Sequence, residues 1–462
     1  MSNDKTNTKQ LNLYTQIYVS SKSQGDELEV VFGSRHRGAI SRIDFENVIS
    51  KLKSIGFYTN DGYGDYYLNI QNQFVDSKSG RTTIGNIRTT ITGIKNIQDY
   101  CNSNTFDLDN PPAYIRFMRK IPKVYKSKRL ESINYDDFKF RVNYKEEKIL
   151  RPDYGIVRDL LQTWTDKKKV FRLIKRFSFI SHELPVRIDC SIVRSSRRVG
   201  RRLIPEYRIE SSNVFKNPES YEIEIEVDRK RLSGGTMSAM SENLLRAIRR
   251  SIKYVLSGLQ ESNFPISYRE QNAVIGDYMH ILYKDPPDRR VRGRDFVGPS
   301  SISLERPNIV PLTGDNMVAN IRTPYTVTEK ADGIRKLLVI SKDGKLYMID
   351  VNMRVQFTGT LSTNKSLYNT IIDGEHVLHN KDGKFINQYL AFDIYYVNRK
   401  DVRAHAFYIA EGKSDHGSLP DKYDNRLTLL NKVVKDLKLE PVVGDIIPLK
   451  PRVKSFKLSN GD

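Results

Sequence analysis

The sequence predicts an α+β protein of two domains, a large antiparallel sheet or barrel with packed helices over residues 1–260 and a smaller α+β domain over 261–462. Three observations carry this. Residues 1 to about 230 hold a series of short strands that alternate apolar and polar positions and are separated by polar loops. Two helical stripes interrupt and follow that series. From about residue 322 the pattern changes to strands joined by tight turns, closed by a helix.

In order, the strands of the first part read ELEVVFG (27–33), DYYLNIQNQF (65–74), GNIRTTITG (85–93), FKFRVNYKEE (138–147), VFRLIKRFSFI (170–180), LPVRIDCSIVR (184–194), PEYRIES (205–211) and YEIEIEV (221–227). Ser41 is placed to cap a helix whose stripe is Ile43, Phe45, Val48, Ile49 and Leu52. A second helix spans about 238–260, with Leu245, Ile248, Ile252, Val255 and Leu259 on one face and Arg246, Arg249, Arg250 and Lys253 mostly opposite. SNFPISY (262–268) marks the domain boundary, and KDPPDRRVRGRDFVGPSS (284–301) reads as a basic, solvated connector. The later strands are YTVTEK (325–330), RKLLVIS (335–341), KLYMIDV (345–351), TIIDGEHVL (370–378) and QYLAFDIYYV (388–397), before a helix near 425–438.

A formal net charge of +21 points to a polyanionic partner, because Lys and Arg that neutralise phosphates release counterions. No run approaches the ~18 apolar residues of a spanning helix and the N-terminus lacks a signal-type apolar core, so no membrane association is expected. Two isolated cysteines exclude a disulfide framework or a zinc site and fit a reducing compartment.

In this basic chain, Glu222, Glu224 and Glu226 lie at every second position of one strand, and Glu27 and Glu29 repeat the spacing on the first strand. Side chains two apart share a face of a strand, so these carboxylates repel unless something offsets them. Convergent carboxylates form a hard oxygen site suited to Mg²⁺ or Mn²⁺. The strands between carry cations at the same spacing: Arg141 and Lys145 with Asn143 and Glu147, Arg172 and Arg176, Arg187 with Asp189, and Arg88. A closed sheet with such an interior has a polar lumen fitted to an anion plus a metal, with a polyphosphate as its occupant.

The paired ExE strands, with RVNYKEE and RIDCS between them, resemble the triphosphate tunnel metalloenzymes, in particular the RNA triphosphatases of fungal and viral capping systems, over about residues 10–260. The resemblance implies an eight-stranded antiparallel tunnel for the 5′-triphosphate of nascent RNA. It implies Glu27, Glu29 and Glu226 as metal ligands, Glu222 and Glu224 in support, Glu147 orienting the attacking water, and Arg88, Arg141, Lys145, Arg172, Arg176 and Arg187 on the phosphates. The family has a lysine two positions before Arg176, where this chain has Ile174; either Arg172 replaces it or a bulge turns Lys175 inward.

In YTVTEKADGIRKLLVI, Lys330 ends a strand and Asp332-Gly333 forms a turn in which glycine is expected to tolerate positive φ. With TIIDGEHVL and QYLAFDIYYV downstream, the segment resembles the covalent nucleotidyltransferases, the superfamily of mRNA guanylyltransferases and polynucleotide ligases. The resemblance implies a ligase/guanylyltransferase-like domain in which Lys330 attacks the α-phosphate of GTP to give lysyl-GMP. Arg335 and Glu375 would hold the ribose hydroxyls, Phe392 would stack on guanine, and Asp332 and Asp373 would serve the turn and framework.

Both domains in this order resemble the multifunctional mRNA capping enzymes of large nucleocytoplasmic DNA viruses. That implies 5′-triphosphate RNA and GTP as partners, a methyltransferase as a further domain or subunit, and a cytoplasmic location in the virus factory, with packaging in the virion left open. The alternatives are a ligase-like adenylyltransferase, a polyphosphatase or nucleoside triphosphatase with a degenerate second domain, and a non-enzymatic RNA-binding protein. After GDIIPLKPRVKSFKLSNGD no strand with the family's paired lysines and no OB-fold lid follow, so the second domain is expected to be incomplete and the chain to be the N-terminal part of a longer polypeptide, forming little lysyl-GMP alone.

Overall fold

The computed structural model describes residues 2–33, 38–59, 64–75, 80–200, 202–232, 234–311, 318–409, 425–444 and 448–459. The chain forms two compact units, Met1–Glu261 and Ser262–Asp462.

In the first unit the strands are β1 (Asp26–Phe32), β2 (Asp65–Val75), β3 (Ile87–Thr92), β4 (Ile115–Pro122), β5 (Phe140–Leu150), β6 (Lys169–Ile180), β7 (Val186–Ser195) and β8 (Ser220–Val227). They pair in the order β1-β8-β7-β6-β2-β3-β4-β5, and β5 returns to β1 from Asp26↔Glu146 to Phe32↔Phe140, so an antiparallel eight-stranded barrel closes. Closure leaves no free edge among these strands.

The apolar core lies outside the barrel. Leu28, Val30 and Phe32 of β1 and Ile223, Ile225 and Val227 of β8 point away from the lumen, onto helices α1 (Ser2–Ser20), α2 (Arg42–Ser54) and α5 (Met237–Leu259). On the other side, Leu68, Ile70, Phe117 and Phe171 pack against α3 (Ile94–Ser103), α4 (Gly155–Gln162) and Trp164. With alternate residues committed outward, the intervening positions are free to be polar and face inward. Ser41 caps α2 in a capping box with Asp44. Gly258 of α5 is required by close approach: a Cβ there would lie 2.6 Å from Cα of Val48 on α2.

Two features differ from expectation. PEYRIES is not a strand; it makes one isolated bridge, Lys169↔Glu206, and then a 3₁₀ turn at Glu210–Ser212. Pro205 has no N–H to give a ladder, and the Ile209 amide donates instead to Asn104 Oδ1 at 2.7 Å. Helix α1 was not anticipated, because its stripe of Leu11, Tyr14, Ile17 and Tyr18 is half tyrosine in a polar stretch. Among the described residues no helix is long and apolar enough to cross a membrane.

The second unit is built on β10 (Ile334–Ile340), β11 (Lys345–Asp350), β12 (Val355–Ser362), β13 (Thr370–His379) and β14 (Phe385–Val397), preceded by the short β9 (Tyr325–Val327) and followed by β15 (Leu439–Pro441), β16 (Lys450–Val453) and β17 (Lys457–Ser459). The sheet runs β14-β13-β10-β11-β12-β15, with β16 added parallel to β14, while β9 and β17 pair separately. Helix α7 (Arg426–Lys435) covers one face through Leu429, Leu430 and Val433, and α6 (Tyr268–Leu282) covers the other through Val274, Tyr278 and Met279. Burial on both faces explains why β10 reads as the continuous apolar run LLVI rather than as an alternation. The basic connector at 284–301 is exposed over most of its length, as expected, and is also pinned at one point: buried Asp295 accepts from Arg289 at 2.8 and 2.5 Å, and Tyr278 Oη donates to its carbonyl at 2.7 Å.

Buried His376 on β13 meets Asn387 Oδ1 at 2.7 Å, and burial holds its pKa down to about 4. An unfolded histidine titrates near ~6.5, so the folded state binds fewer protons; the stabilisation is present above that value and is lost as pH falls toward 4. We expect the second unit of wild type to lose about 3 kcal/mol between pH 7 and pH 4 relative to His376→Gln, measured by urea unfolding; parallel pH profiles of the two proteins would disprove it.

Candidate functional site

The inward positions of the barrel form a mixed-charge wall. Glu29 on β1 stands opposite Glu226 on β8 and Asn143 on β5, and Glu27 stands opposite Lys145. Like charges in direct cross-strand register are unfavourable, and here cations offset them. Lys120 Nζ lies 2.6 Å from Glu27, 3.8 Å from Glu29 and 3.9 Å from Glu147. Lys145 Nζ donates to Glu29 Oε1 at 2.8 Å, with Asn143 Nδ2 at 2.9 Å. Arg88 Nη2 donates to Glu147 Oε1 at 3.0 Å. Along the other wall Arg172 pairs with Glu222, and Arg187 pairs with Glu226 and, at 2.9 Å, with buried Asp189. Arg176 lies 3.2 Å from Asp189 and 3.8 Å from Glu224.

Burial is the largest influence on the titration of Glu27, Glu29, Glu224 and Glu226. It pushes Glu27 up to about 7, with Glu29 and Glu226 adding to the effect against Lys120. It also raises Glu224 and Glu226. For Glu29, Lys120 and Lys145 outweigh burial and hold the carboxyl below its ordinary value.

Among the described residues no three Asp, Glu, His or Cys side chains gather into a ready-made cation site. The five glutamates instead spread along two strands, with Lys and Arg between their oxygens. The donor set nevertheless fits a hard divalent cation: all the groups are carboxylates, and among the described residues Glu27 Oε2 is buried without a hydrogen-bond partner. The Nε groups of Arg88, Arg141 and Arg172 are likewise buried and unpartnered, which leaves donors for an anion.

The question raised by Ile174 is answered by register. Strand β6 pairs without a shift against both β7 and β2, and Lys175 lies opposite Ile192 and Tyr66, its Nζ 5.5 Å from the Tyr66 ring and 5.3 Å from that of Phe177. No bulge turns Lys175 inward; Arg172 and Arg176 are the cations that this strand turns to the lumen carboxylates. Lys120 escaped the sequence reading because IRFMRKIP was not recognised as a strand, although Ile115 and Phe117 alternate with Arg116 and Met118.

In the second unit Lys330 follows β9 and is exposed, 3.9 Å from Asp332. It lines a 560 Å³ cleft with Glu329, Gln388, Leu390, Arg452 and Lys454. The last two arrive because β16 runs beside β14, in register from Gln388↔Lys450 to Ala391↔Val453. Residues 450–454, which have no role assigned from the sequence, thus bring cations to the cleft; the KPRVK alternation is the available signal.

Arg335 is bound to Asp373 at 2.6 and 3.2 Å and to the Pro299 carbonyl at 2.7 Å, and Tyr395 Oη donates to Asp373 at 2.6 Å, so buried Asp373 acts as framework. Glu375 Oε1 accepts from the Gly333 amide at 3.2 Å. Half-buried Phe392 has Arg335 5.8 Å and Lys454 6.0 Å from its ring centroid.

Gly333 does not have positive φ. Its need is close approach: a Cβ would lie 2.7 Å from the His376 carbonyl oxygen and from Glu375 Cγ. Gly333→Ala must therefore displace the turn that carries Lys330, and we expect at least about a tenfold fall in covalent nucleotide attachment, read as protein-bound label from radioactive GTP. Wild-type labelling in the variant would show that the turn yields freely.

Residues 269–410 match the family model described as mRNA capping enzyme, catalytic domain. Over 279 residues the chain is 23% identical to a probable mRNA-capping enzyme of Acanthamoeba polyphaga mimivirus; the match takes in 60% of this chain and 18% of that protein, so the chain spans under a fifth of its relative's length. Among solved structures, S. pombe Pct1 RNA triphosphatase is similar at 9% identity with a TM-score of 0.30, over 54% of this chain and 91% of the other. The same protein in complex with the Spt5 CTD gives a TM-score of 0.28 at 9% identity, over 55% and 92%. Residues 269–410, which carry Lys330, its turn and the strands behind them, are thus the part of the chain that is similar to the catalytic domain of mRNA capping enzymes.

Proposed function

We propose that the chain builds mRNA 5′ caps: the barrel hydrolyses the γ-phosphate of 5′-triphosphate RNA, and the second unit transfers GMP from GTP through Lys330 to the resulting 5′-diphosphate. The observation that carries the first half is a closed barrel whose apolar core lies outside and whose lumen pairs every ExE glutamate region with Lys or Arg. A lumen of this kind suits a short polyanion and has little use otherwise.

In the lumen, Arg88, Arg141, Lys145, Arg172, Arg176 and Arg187, joined by Lys120, would neutralise the phosphate oxygens. Glu147, held by Arg88, would orient a water in line with the γ-phosphorus; the new P–O bond forms as the bond to the β-phosphate oxygen breaks. Glu27, Glu29 and Glu226, with Glu222 and Glu224 in support, would hold Mg²⁺ or Mn²⁺, which when bound polarises the γ-phosphate.

In the second unit the Lys330 amine would attack the α-phosphorus of GTP; an N–P bond forms, the P–O bond to pyrophosphate breaks, and the terminal phosphate of the RNA then takes GMP from the lysine. Arg452 and Lys454 stand in the same cleft to balance phosphate charge. Phe392 would stack on guanine, while Arg335 and Glu375 would shape the ribose site from their hydrogen-bonded positions. A methyltransferase domain or subunit to finish the cap, and a cytoplasmic virus-factory location, belong to the same proposal.

Two assays test it. Labelled γ-phosphate released from triphosphate-ended RNA with Mg²⁺ or Mn²⁺, and abolished by EDTA, is expected from the barrel. Protein-bound label from [α-³²P]GTP that is acid-labile and alkali-stable is expected from the second unit. Label from ATP in place of GTP would favour a ligase-like enzyme, and no phosphate release with any metal would remove the first half.

A further inference from the structure

After β7 the chain makes a two-stranded hairpin outside the eight barrel strands, Arg198–Val199 against Arg202–Leu203, within the basic run SSRRVGRRL (195–203). Backbone bonds fix its base: the Ser196 amide donates to the Phe171 carbonyl at 2.8 Å, the Arg197 amide to that of Ser212 at 3.0 Å, and the Ile204 amide to that of Arg197 at 2.8 Å. Phe171 precedes Arg172 on β6, so the hairpin is held beside a lumen cation.

Cross-strand partners in a hairpin share a face. Arg198 and Leu203 are such a pair, and both line a 380 Å³ cavity whose wall also holds Arg88, Lys120 and Arg172. Val199 and Arg202, the other pair, are exposed. The hairpin thus turns one arginine to the lumen cations and another to solvent.

Three residues of this cavity belong to the lumen wall already described. Lys120 is the cation 2.6 Å from Glu27, and Arg88 and Arg172 are those bonded to Glu147 and Glu222. The cavity's own lining is different in charge: the described residues there include four cations and no Asp or Glu. The Nε donors of Arg88 and Arg172 are buried and without a partner. Gathered cations repel one another, so a fourth one held there by the hairpin fits an anion that all four share.

We propose that Arg198 binds the substrate's polyphosphate in this cavity, on the diphosphate that stays with the RNA. The proposal rests on the triphosphatase reading above, which gives the γ-phosphate and its metal to Glu147 and the ExE glutamates; none of these is among the described residues of the cavity's lining. A contact to retained phosphates is made alike before and during bond breaking, so it lowers KM and leaves kcat unchanged.

The test uses the full chain, with a 5′-triphosphate RNA decamer and inorganic tripolyphosphate as substrates and inorganic pyrophosphate as a competing ligand. Arg198→Ala is expected to raise KM about tenfold for both substrates, to weaken inhibition by pyrophosphate by a similar factor, and to keep kcat. Arg198→Met, which keeps the length of the side chain and drops its charge, should do the same and carries the test if the alanine variant melts early. Arg198→Lys, with the charge but not the fork of donors, should recover part of the loss. Arg202→Ala removes the same charge from the outward face of the same hairpin and should behave as wild type, which separates contact from net charge. If wild type releases phosphate and the Arg198 variants leave KM and pyrophosphate inhibition unchanged, or Arg202→Ala matches their effect, Arg198 makes no phosphate contact and this proposal fails alone. A fall in kcat at unchanged KM would overturn its place on the retained diphosphate. If wild type releases phosphate from neither substrate, the triphosphatase reading fails and takes this proposal with it.

Discussion

Glu29→Ala is expected to lower metal-dependent release of γ-phosphate from triphosphate-ended RNA by at least about 100-fold, since even groups that only orient metal ligands cost 10–100-fold when removed. Glu29 is buried, bonded to Lys145 and Asn143, and directly opposite Glu226. Its loss removes a proposed ligand and also leaves Lys145 without its anion in a confined space, so the lumen becomes more positive where the cation should sit. The control is one residue off register from the lumen: Glu146, on the outward face of β5, pairs with Lys148 at 3.7 Å, and Glu146→Ala should keep wild-type activity. Thermal melts of both variants separate lost chemistry from lost fold. A wild-type rate for Glu29→Ala at low metal would reduce the ExE strands to a charged surface.

The parts of this site legible in the sequence are those encoded by local periodicity. Residues two apart on one strand share a face whatever the strand pairs with, so Glu222, Glu224 and Glu226, or Arg172 and Arg176, are visible as sets before any fold is known. Which sets meet is not local. The pairing of Glu29 with Glu226 depends on register between strands far apart in the chain, and a shift of one residue would send every glutamate outward.

The same limit hid Lys120. Its strand has Pro122 at its end and a basic composition that looks like a loop, yet pairing with β5 places its ammonium among three carboxylates. In the second unit, the Lys330 turn is a contiguous motif and was readable, whereas Arg452 and Lys454 reach the cleft only through the parallel pairing of β16 with β14. Positive φ, the reason the sequence suggests for glycine at 333, is not the one the structure shows, because a carbonyl approaching from another strand leaves no trace in the residues beside it.

Lys330→Ala is expected to abolish protein-bound label from [α-³²P]GTP entirely, whatever the yield in the unaltered chain. A covalent phosphoramidate requires an amine, and alanine supplies none. Lys330→Arg should be as inactive, because a guanidinium stays protonated and has no free pair to attack phosphorus. This pair of variants separates nucleophile from charge: if Lys330 served only to bind phosphate, arginine would retain much of the function. Neither change touches the barrel, so release of γ-phosphate from RNA should continue at the wild-type rate. Arg452→Ala and Lys454→Ala, which leave the amine in place, should instead lower the rate of labelling and leave its acid-labile, alkali-stable character intact. Label that persisted in Lys330→Ala would transfer the nucleophile to another lysine of the cleft, with Lys454 the first to be tested.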